Sequence, residues 1–466
     1  MKIALVVHRF FPEGIGGVET LTAHLARALR ERGHGVLLLC AARSLGFEGP
    51  LRFLRETYGE IPIWRIAGEG EKKTAPIRAT YRDEAIGEAV AQLWREERPD
   101  LVHVLHGLFL SASVIESAHR AGLPLVWTLP DYWPICWKTT LLTWDDRLCA
   151  GDWRVPTSEC VACLIFESRT YRRLFGENRF WPRPLARGLV RIARSAVGHR
   201  VLPPLWTHAV EALRARPEWF RTLVRHADAL VAVSSFSFDL FRAIGFPQDR
   251  LRLIEQTIVP VVGAMPASAR KERWRFGYIG RMTRTKGVDV LVRAFRLADL
   301  GGRATLELFG GFEDAAFRDR VLQLADGDPR IRFHGEFPPE RLGEVLAQID
   351  VLVIPSRWPE TGPLVLLEAL AAGRPVLGAR VGQMGRMIEP GRNGWFFERG
   401  DAHDLAAALR KIVARSEAWP DLRYASHSIK PFEEMVSEYE ALYRECVERH
   451  GREASSAHVG NPDIPR

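Results

Sequence analysis

Trp358-Pro359-Glu360-Thr361-Gly362-Pro363-Leu364-Val365-Leu366-Leu367-Glu368-Ala369-Leu370-Ala371-Ala372-Gly373 is the stretch on which the reading of this chain turns. It follows Asp350-Val351-Leu352-Val353-Ile354, a short, β-branched apolar run closed by Pro355, which reads as a buried strand. Gly362 and Pro363 break the chain, and Pro suits the first helical position because its missing N–H has no partner to lose there. A helix is expected from about Leu364 to Ala372, closed by Gly373 and Pro375, with Val376-Leu377 opening the next strand. Such a strand-loop-helix-strand unit places the loop and the helix N-terminus at the carboxyl edge of a parallel sheet, where these sheets bind ligands. The amides of Leu364, Val365 and Leu366 lack intrahelical acceptors and lie at the positive end of the helix dipole, an arrangement that suits phosphate. Glu360 would stand beside them and Glu368 a little over one turn into the helix. A capping Glu and a solvent-facing helix Glu are the plainer alternative.

Working outward, Arg275-Phe276-Gly277-Tyr278-Ile279-Gly280-Arg281-Met282-Thr283-Arg284-Thr285-Lys286-Gly287 is a strand followed by a loop that carries two cations five residues apart. Arg281 offers a planar fork and Lys286 a point charge, a pair able to clamp a diphosphate. The first 42 residues repeat the strand-loop-helix-strand pattern. Ile3 to Val7 is followed by the glycine loop Pro12-Glu13-Gly14-Ile15-Gly16-Gly17-Val18-Glu19, a helix from Thr20 to Arg32, and the strand Gly35 to Leu39. Gly16 and Gly17 let the backbone approach a ligand closely just before a helix N-terminus. Asp100-Leu101-Val102-His103-Val104-Leu105-His106-Gly107 is a further buried strand: His103 is expected to pack within it, and His106 to mark its end. Asp131 follows the strand Leu123 to Leu129 as a candidate for holding a hydroxyl.

Glu360 and Glu368, with seven residues between them and followed by Ala-Leu-Ala-Ala-Gly-x-Pro-Val, resemble the Glu-x7-Glu signature of the retaining GT-B glycosyltransferases of family 4, the glycosyl transferases group 1. The Gly-Arg…Lys-Gly spacing at Arg281 and Lys286 and the loop Gly16-Gly17-Val18-Glu19 are similar to further motifs of that family. The resemblance covers nearly the whole chain except residues about 135–225 and the C-terminal tail. It implies an α/β fold of two doubly wound Rossmann-like domains facing a cleft, with a Cys-containing helical insertion in the first. The divisions are an acceptor-binding domain over 1–262 (insertion about 135–225), a nucleotide-sugar-binding domain over 263–430, a crossover helix over 431–449 and a disordered tail over 450–466. It also implies transfer of a sugar from a nucleoside diphosphate sugar, UDP- or GDP-linked, to an acceptor hydroxyl with retention, in cell-surface polysaccharide or glycolipid synthesis of a bacterium. Glu360, His106, Arg281 and Lys286 would be catalytic. Gly16, Gly17, Arg281, Lys286, Gly335, Leu364, Val365 and Glu368 would bind the donor. Two departures weaken parts of this carry-over, because Pro130 stands where relatives often have His and Arg386 where they often have Glu.

Composition bounds the rest. The 466 residues suffice for two to three domains. No apolar run approaches a membrane span, and the opening Met1 to Val7 reads as a strand and not as a signal peptide, so a cytoplasmic location is expected. The net charge of +8 is uneven, with Arg concentrated between Arg169 and Arg225. That block suits either an anionic partner, such as the inner membrane face or a phosphorylated acceptor, or a plain solvated helical face. Cys136, Cys149, Cys160 and Cys163 cluster in sequence, and Cys160-Val161-Ala162-Cys163 is a chelating spacing, so a structural Zn2+ held by four thiolates is expected over two disulfides or simple free thiols. Asp326-Gly327-Asp328 spells a metal-binding pattern but reads as a turn, and no metal is expected to be required for catalysis. The partners are a nucleotide sugar and a glycan or lipid-linked acceptor, with no nucleic acid. The rival readings are a GT-B binding subunit without activity and a zinc and Arg-rich nucleic-acid-binding protein.

Overall fold

A computed structural model describes residues 1–14, 16–42, 49–68, 76–149, 158–167, 204–259, 273–414 and 429–459, with the backbone alone at 76, 158, 204–207 and 453–459. Two parts of the expected insertion (150–157 and 168–203), the expected linker at 260–272 and residues 460–466 of the expected tail lie outside these. The chain divides into two compact units: Met1–Val233 with Phe238–Ile254 and Val436–Arg466, and Ser234–Ser237 with Glu255–Met435.

The first unit is built on an eight-stranded sheet. Its elements are β1 (Lys2–Val6), α1 (Gly17–Glu31), β2 (Gly35–Ala41), β3 (Arg52–Tyr58), β4 (Ile61–Ala67), α2 (Pro76–Ala79), α3 (Glu84–Glu97), β5 (Leu101–Val104), α4 (Ser113–Arg120), β6 (Leu125–Leu129), α5 (Ser158–Glu167), α6 (Pro204–His226), β7 (Ala229–Ala232), α7 (Ser235–Ala243, which begins in the second unit) and β8 (Leu251–Leu253). The strand order is β3-β4-β2-β1-β5-β6-β7-β8, parallel except for the edge hairpin β3-β4. Central β1 pairs through Ile3 with Val36 on one side and Leu101 on the other. Its residues Ile3 to Val6 are fully buried, because helices cover both faces of a parallel sheet and leave no polar alternation to read. The edge strand β3 instead carries Arg52, Arg55 and Glu56, charges that discourage pairing with another chain. Asp83 starts α3 by accepting from the amide of Ile86 at 3.1 Å, which satisfies one of the helix's orphan donors.

The second unit continues with β9 (Trp274–Ile279), α8 (Val288–Ala298), β10 (Ala304–Phe309), α9 (Ala315–Ala325), β11 (Ile331–Gly335), α10 (Leu342–Ala347), β12 (Val351–Ile354), α11 (Leu364–Ala371), β13 (Val376–Ala379), α12 (Met384–Met387), β14 (Gly394–Phe397) and α13 (Ala402–Val413). Its six strands run β11-β10-β9-β12-β13-β14, all parallel. Glycine 277 on β9 is needed for packing, since a Cβ there would overlap the side chain of Ile349. Asp326, the first acid of the metal-like pattern, is the left-handed C-cap of α9, and Asp328 accepts from the Arg330 guanidinium at 2.6 Å. Both are therefore committed to a turn.

The last helix, α14 (Phe432–Val459), starts in the second unit, and from Val436 on it belongs to the first. It runs past the expected end at residue 449. His103, buried in β5, is the receiving group: Nδ1 pairs with the Tyr443 hydroxyl and Nε2 with the Thr128 hydroxyl, each at 2.7 Å. Arg32 and His34 both pair with Glu440, at 2.6 and 2.7 Å. Burial without a carboxylate neighbour drives the His103 imidazole down to about 3, so it packs as a neutral ring.

The Cys-containing segment departs from expectation. Among the described residues no three His, Cys, Asp or Glu side chains are gathered so as to hold a metal ion, and Cys136, Cys149, Cys160 and Cys163 form no disulfide. The described structure thus gives no support to the expected zinc site. Cys163 lies on α5 inside a small apolar cluster with Trp144, Val161, Phe166, Val210 and Leu213. Burial pushes the thiols of Cys136 and Cys163 up. Arg216 is fixed in the same region, its guanidinium donating to the carbonyls of Trp133 and Pro134 and lying 4.3 Å from the centre of the Phe220 ring. This part of the Arg-rich stretch is a buried structural strut, and burial lowers that guanidinium to about 10.

Candidate active site

The second unit brings most of the sequence-derived donor residues together at the carboxyl edge of its sheet. Pro363 is the N-cap of α11 with extended backbone, one position earlier than expected, and the Leu366 amide donates to the Pro363 carbonyl at 3.0 Å. Leu366 is therefore not among the groups offered to a ligand, while Leu364 and Val365 keep the first-turn positions. The helix closes as expected: Gly373 adopts φ +68°, with its amide on Leu370 O at 3.0 Å and that of Arg374 on Ala369 O at 2.7 Å.

Glu360 is almost fully buried, and one of its oxygens, Oε1, is the meeting point of the site. It accepts from Lys286 Nζ at 2.7 Å, from the Ser356 hydroxyl at 2.5 Å and from the Trp358 indole N–H at 2.8 Å. The Lys286 ammonium is also 5.2 Å from the Trp358 ring centre. Three donors on one carboxylate oxygen offset the cost of burying its charge. Of these partners the sequence reading identified Lys286 and overlooked Ser356 and Trp358. Hydrogen bonds two and four residues apart in a loop leave no periodic signal to find.

Two loops must lie close for this pairing, and the sequence arranges it. Arg357 donates to both oxygens of Asp289, at 2.7 and 2.8 Å, and to the Arg284 carbonyl at 2.6 Å, while its own amide donates to Thr285 O at 2.8 Å. This fork rivets the loop after β12 to the loop carrying Lys286. Gly287, at φ +74°, lets the approach happen, because a Cβ there would overlap the Pro355 carbonyl. The Arg281 side chain points elsewhere, pairing with Glu313 with both partners half exposed or more. Such a surface pair is worth less than about 1 kcal/mol and leaves the guanidinium available to an anion. Glu368, half-buried on α11, has its carboxyl raised to about 7 by burial. Gly335 closes β11 at φ +75° beside His334, whose ring stacks on Phe309 at 4.3 Å and whose Nε2 pairs with buried Glu307 at 2.8 Å.

The first unit has its own cluster of polar groups at its sheet's carboxyl edge. His106 Nε2 pairs with Asp131 at 2.9 Å, which locks the ring that ends the β5 segment. His8 follows β1, lies tilted against the His106 ring with centroids 4.4 Å apart and pairs through Nε2 with Glu19 Oε1 at 3.2 Å. Glu19 is buried and its carboxylate fills the turn under the glycine loop, where a Cβ on Gly16 would come within 2.7 Å of Oε2. Gly16 is the N-cap of α1 and Gly17 its first residue, so the glycine loop wraps this chain's own carboxylate. His8 and Glu19 were not singled out by the sequence as site residues.

Comparison with known proteins follows the same division. The family described as Glycosyl transferases group 1 matches residues 273–415, and the Glycosyl transferase 4-like domain matches residues 16–187. The fold is also that of solved structures over nearly their whole length. Sucrose-phosphate synthase from Thermosynechococcus elongatus superposes with a TM-score of 0.62 at 19% identity, covering 95% of this chain and 98% of that one. Anabaena HepE, in complex with UDP and glucose, gives 0.59 at 15% identity, covering 95% and 99%. The fold is thus GT-B, two parallel-sheet α/β domains, and the chain belongs to the group 1, family 4 glycosyltransferases. Among individual relatives, the D-inositol 3-phosphate glycosyltransferase of Corynebacterium jeikeium (strain K411) is 34% identical over 165 residues, 33% of this chain and 38% of its own length. The amylovoran biosynthesis glycosyltransferase AmsK of Erwinia amylovora is 27% identical over 178 residues, 36% and 44%. The chain thus matches less than half the length of each of these two relatives.

Proposed function

We propose that this protein is a retaining hexosyltransferase that moves a sugar from a nucleoside diphosphate sugar to an acceptor hydroxyl, in the synthesis of a cell-surface polysaccharide or glycolipid. The observation that carries the reading is the ion pair of Lys286 with buried Glu360 standing before the N-terminus of α11, with Glu368 farther along the same helix. In the reaction the bond from the anomeric carbon to the diphosphate oxygen breaks and the acceptor oxygen bonds on the same face. The acceptor proton passes to the departing phosphate. Lys286, Arg281 and the amides of Leu364 and Val365 stabilise the charge gathering on that phosphate, preorganised donors being typically the largest catalytic contribution. Glu360 holds hydroxyls of the transferred sugar beside its electron-poor centre, and Glu368 holds the ribose. On the first unit, His106, fixed by Asp131, is the candidate for holding an acceptor hydroxyl. The donor is a UDP- or GDP-sugar, and UDP-glucose is the first to try, since HepE has been seen with UDP-glucose bound. The acceptor is a glycan or a lipid-linked glycan met at the cytoplasmic membrane face; no described helix is long and apolar enough to cross a membrane.

The test is binding and turnover of UDP-, GDP-, ADP- and dTDP-sugars by the wild type, Glu360→Ala and Lys286→Ala. Tight binding of one donor, with turnover reduced by roughly 100- to 1,000-fold in Lys286→Ala, is the expected result. A folded wild type that binds none of them refutes the reading.

A further inference from the structure

We infer that Trp358 is a positioning residue of the donor site, acting through Glu360 to hold the carboxylate in place when Lys286 is drawn to the diphosphate. This deepens the transferase reading and rests on it. The argument starts from Lys286, whose ammonium has two calls on it. Without ligand it pairs with Glu360 Oε1 at 2.7 Å, yet its charge is also the one best placed to meet a leaving phosphate. A donor that attracts Lys286 weakens the strongest hold on a carboxylate that is 97% buried. A buried carboxylate deprived of its cation is costly unless other donors remain.

Two do remain, and both are built in. The Ser356 hydroxyl, itself fully buried, and the Trp358 N–H reach the same Oε1 from Glu360's own loop, at 2.5 and 2.8 Å. Trp358 is the better anchor because its neighbour Arg357 is riveted to Asp289 and Arg284, so the indole is held by backbone that cannot drift. The Trp358 ring also borders the Lys286 ammonium at 5.2 Å, which confines the lysine to the space between carboxylate and ligand. Sugar recognition by Glu360 then survives the movement of Lys286, and Glu360 keeps a single orientation through the reaction.

Trp358→Phe keeps the ring face and removes only the N–H. The measurement is the affinity for UDP-glucose and for UDP, or for whichever sugar and nucleotide pair of the panel the wild type binds, in wild type, Trp358→Phe, Glu360→Ala and the double variant. Donor turnover is followed alongside and folding is checked by thermal melting. The expected result is UDP affinity within about twofold of wild type, with the gain in affinity due to the sugar and the turnover each lowered about tenfold in Trp358→Phe, the size of one hydrogen bond to a charged group. In the Glu360→Ala background the same substitution should change neither, because there is no carboxylate left to hold. Two results overturn the inference while leaving the transferase reading intact. One is an unchanged sugar contribution and turnover in Trp358→Phe; the other is an equal loss with and without Glu360. A loss of UDP affinity together with a lowered melting temperature would assign Trp358 to structure alone and overturn it too. A wild type that binds no donor of the panel refutes the transferase reading and this inference with it.

Discussion

Glu360 and Glu368 share one helix-loop unit, but their surroundings ask different things of them. Glu360 is buried among three donors, which suits a permanent charge. Glu368, half-buried on α11, has its carboxyl raised to about 7 by desolvation. A ribose diol prefers the ionised form, which can accept both of its hydrogen bonds. Nucleotide binding should therefore release close to half a proton near pH 7, and affinity should strengthen as the pH rises from 6 to 8. Calorimetry in buffers of differing ionisation enthalpy will read this release, and Glu368→Gln should abolish it. For stability the sign is opposite. Between pH 4.5 and 7 the folded carboxyl retains a proton that the unfolded one has lost, so this group's contribution declines as pH rises through that window.

At the scale of elements, the loops around the donor site depend on glycines that no other residue can replace. Gly287→Ala sets a Cβ against the Pro355 carbonyl at φ +74°, and Gly382, at φ +61°, lies against the backbone of Glu360 in the same manner. Each alanine variant is expected to lose about 2–4 kcal/mol of stability in denaturant titrations, and donor binding should weaken more in Gly287→Ala, which separates Lys286 from Glu360. These elements were legible to different degrees. β12, α11 and β13 could be read to within a residue or two, because a buried apolar run, Gly-Pro and a closing Gly-x-Pro are local signals. The Lys286–Glu360 pair was legible only as two separate motifs, since residues 74 positions apart meet through a parallel crossover that periodicity does not report. The surroundings of the cysteines were not legible for a related reason. Cys160 and Cys163 have chelating spacing, but α5 turns Cys163 into an apolar cluster, and spacing alone does not say which way a helix faces. His8 was missed because a single histidine after a strand is ordinary in isolation, while Glu19 reads from the sequence as a first-turn helix carboxylate, which it is. The pairing of His8 with Glu19, and the tilted ring contact of His8 with His106, are products of tertiary structure.

For the molecule as a whole, the buried polar join between β5 and α14 sets the behaviour in acid. His103 is held neutral at about 3, against 6.5 for a free imidazole, so unfolded chains bind an extra proton below pH 6.5. Stability should then fall by up to about 1.4 kcal/mol per unit as the pH drops from 6.5 towards 3, and His103→Gln should flatten that slope in urea titrations. Tyr443→Phe, which removes the partner of Nδ1, is expected to cost about 1–3 kcal/mol without altering nucleotide affinity. The same join bears on biosynthesis. The helical surface that covers His103 begins at Val436, whereas the strands it covers are complete by Leu253. On a ribosome adding roughly 5–20 residues per second, the first sheet waits about 10 to 35 s for its last layer while the whole second unit is translated. Over that interval it is an unfinished intermediate with an uncovered apolar face, so chaperone occupancy on stalled nascent chains should persist until the codons beyond Val436 have been read and the helix has left the exit tunnel.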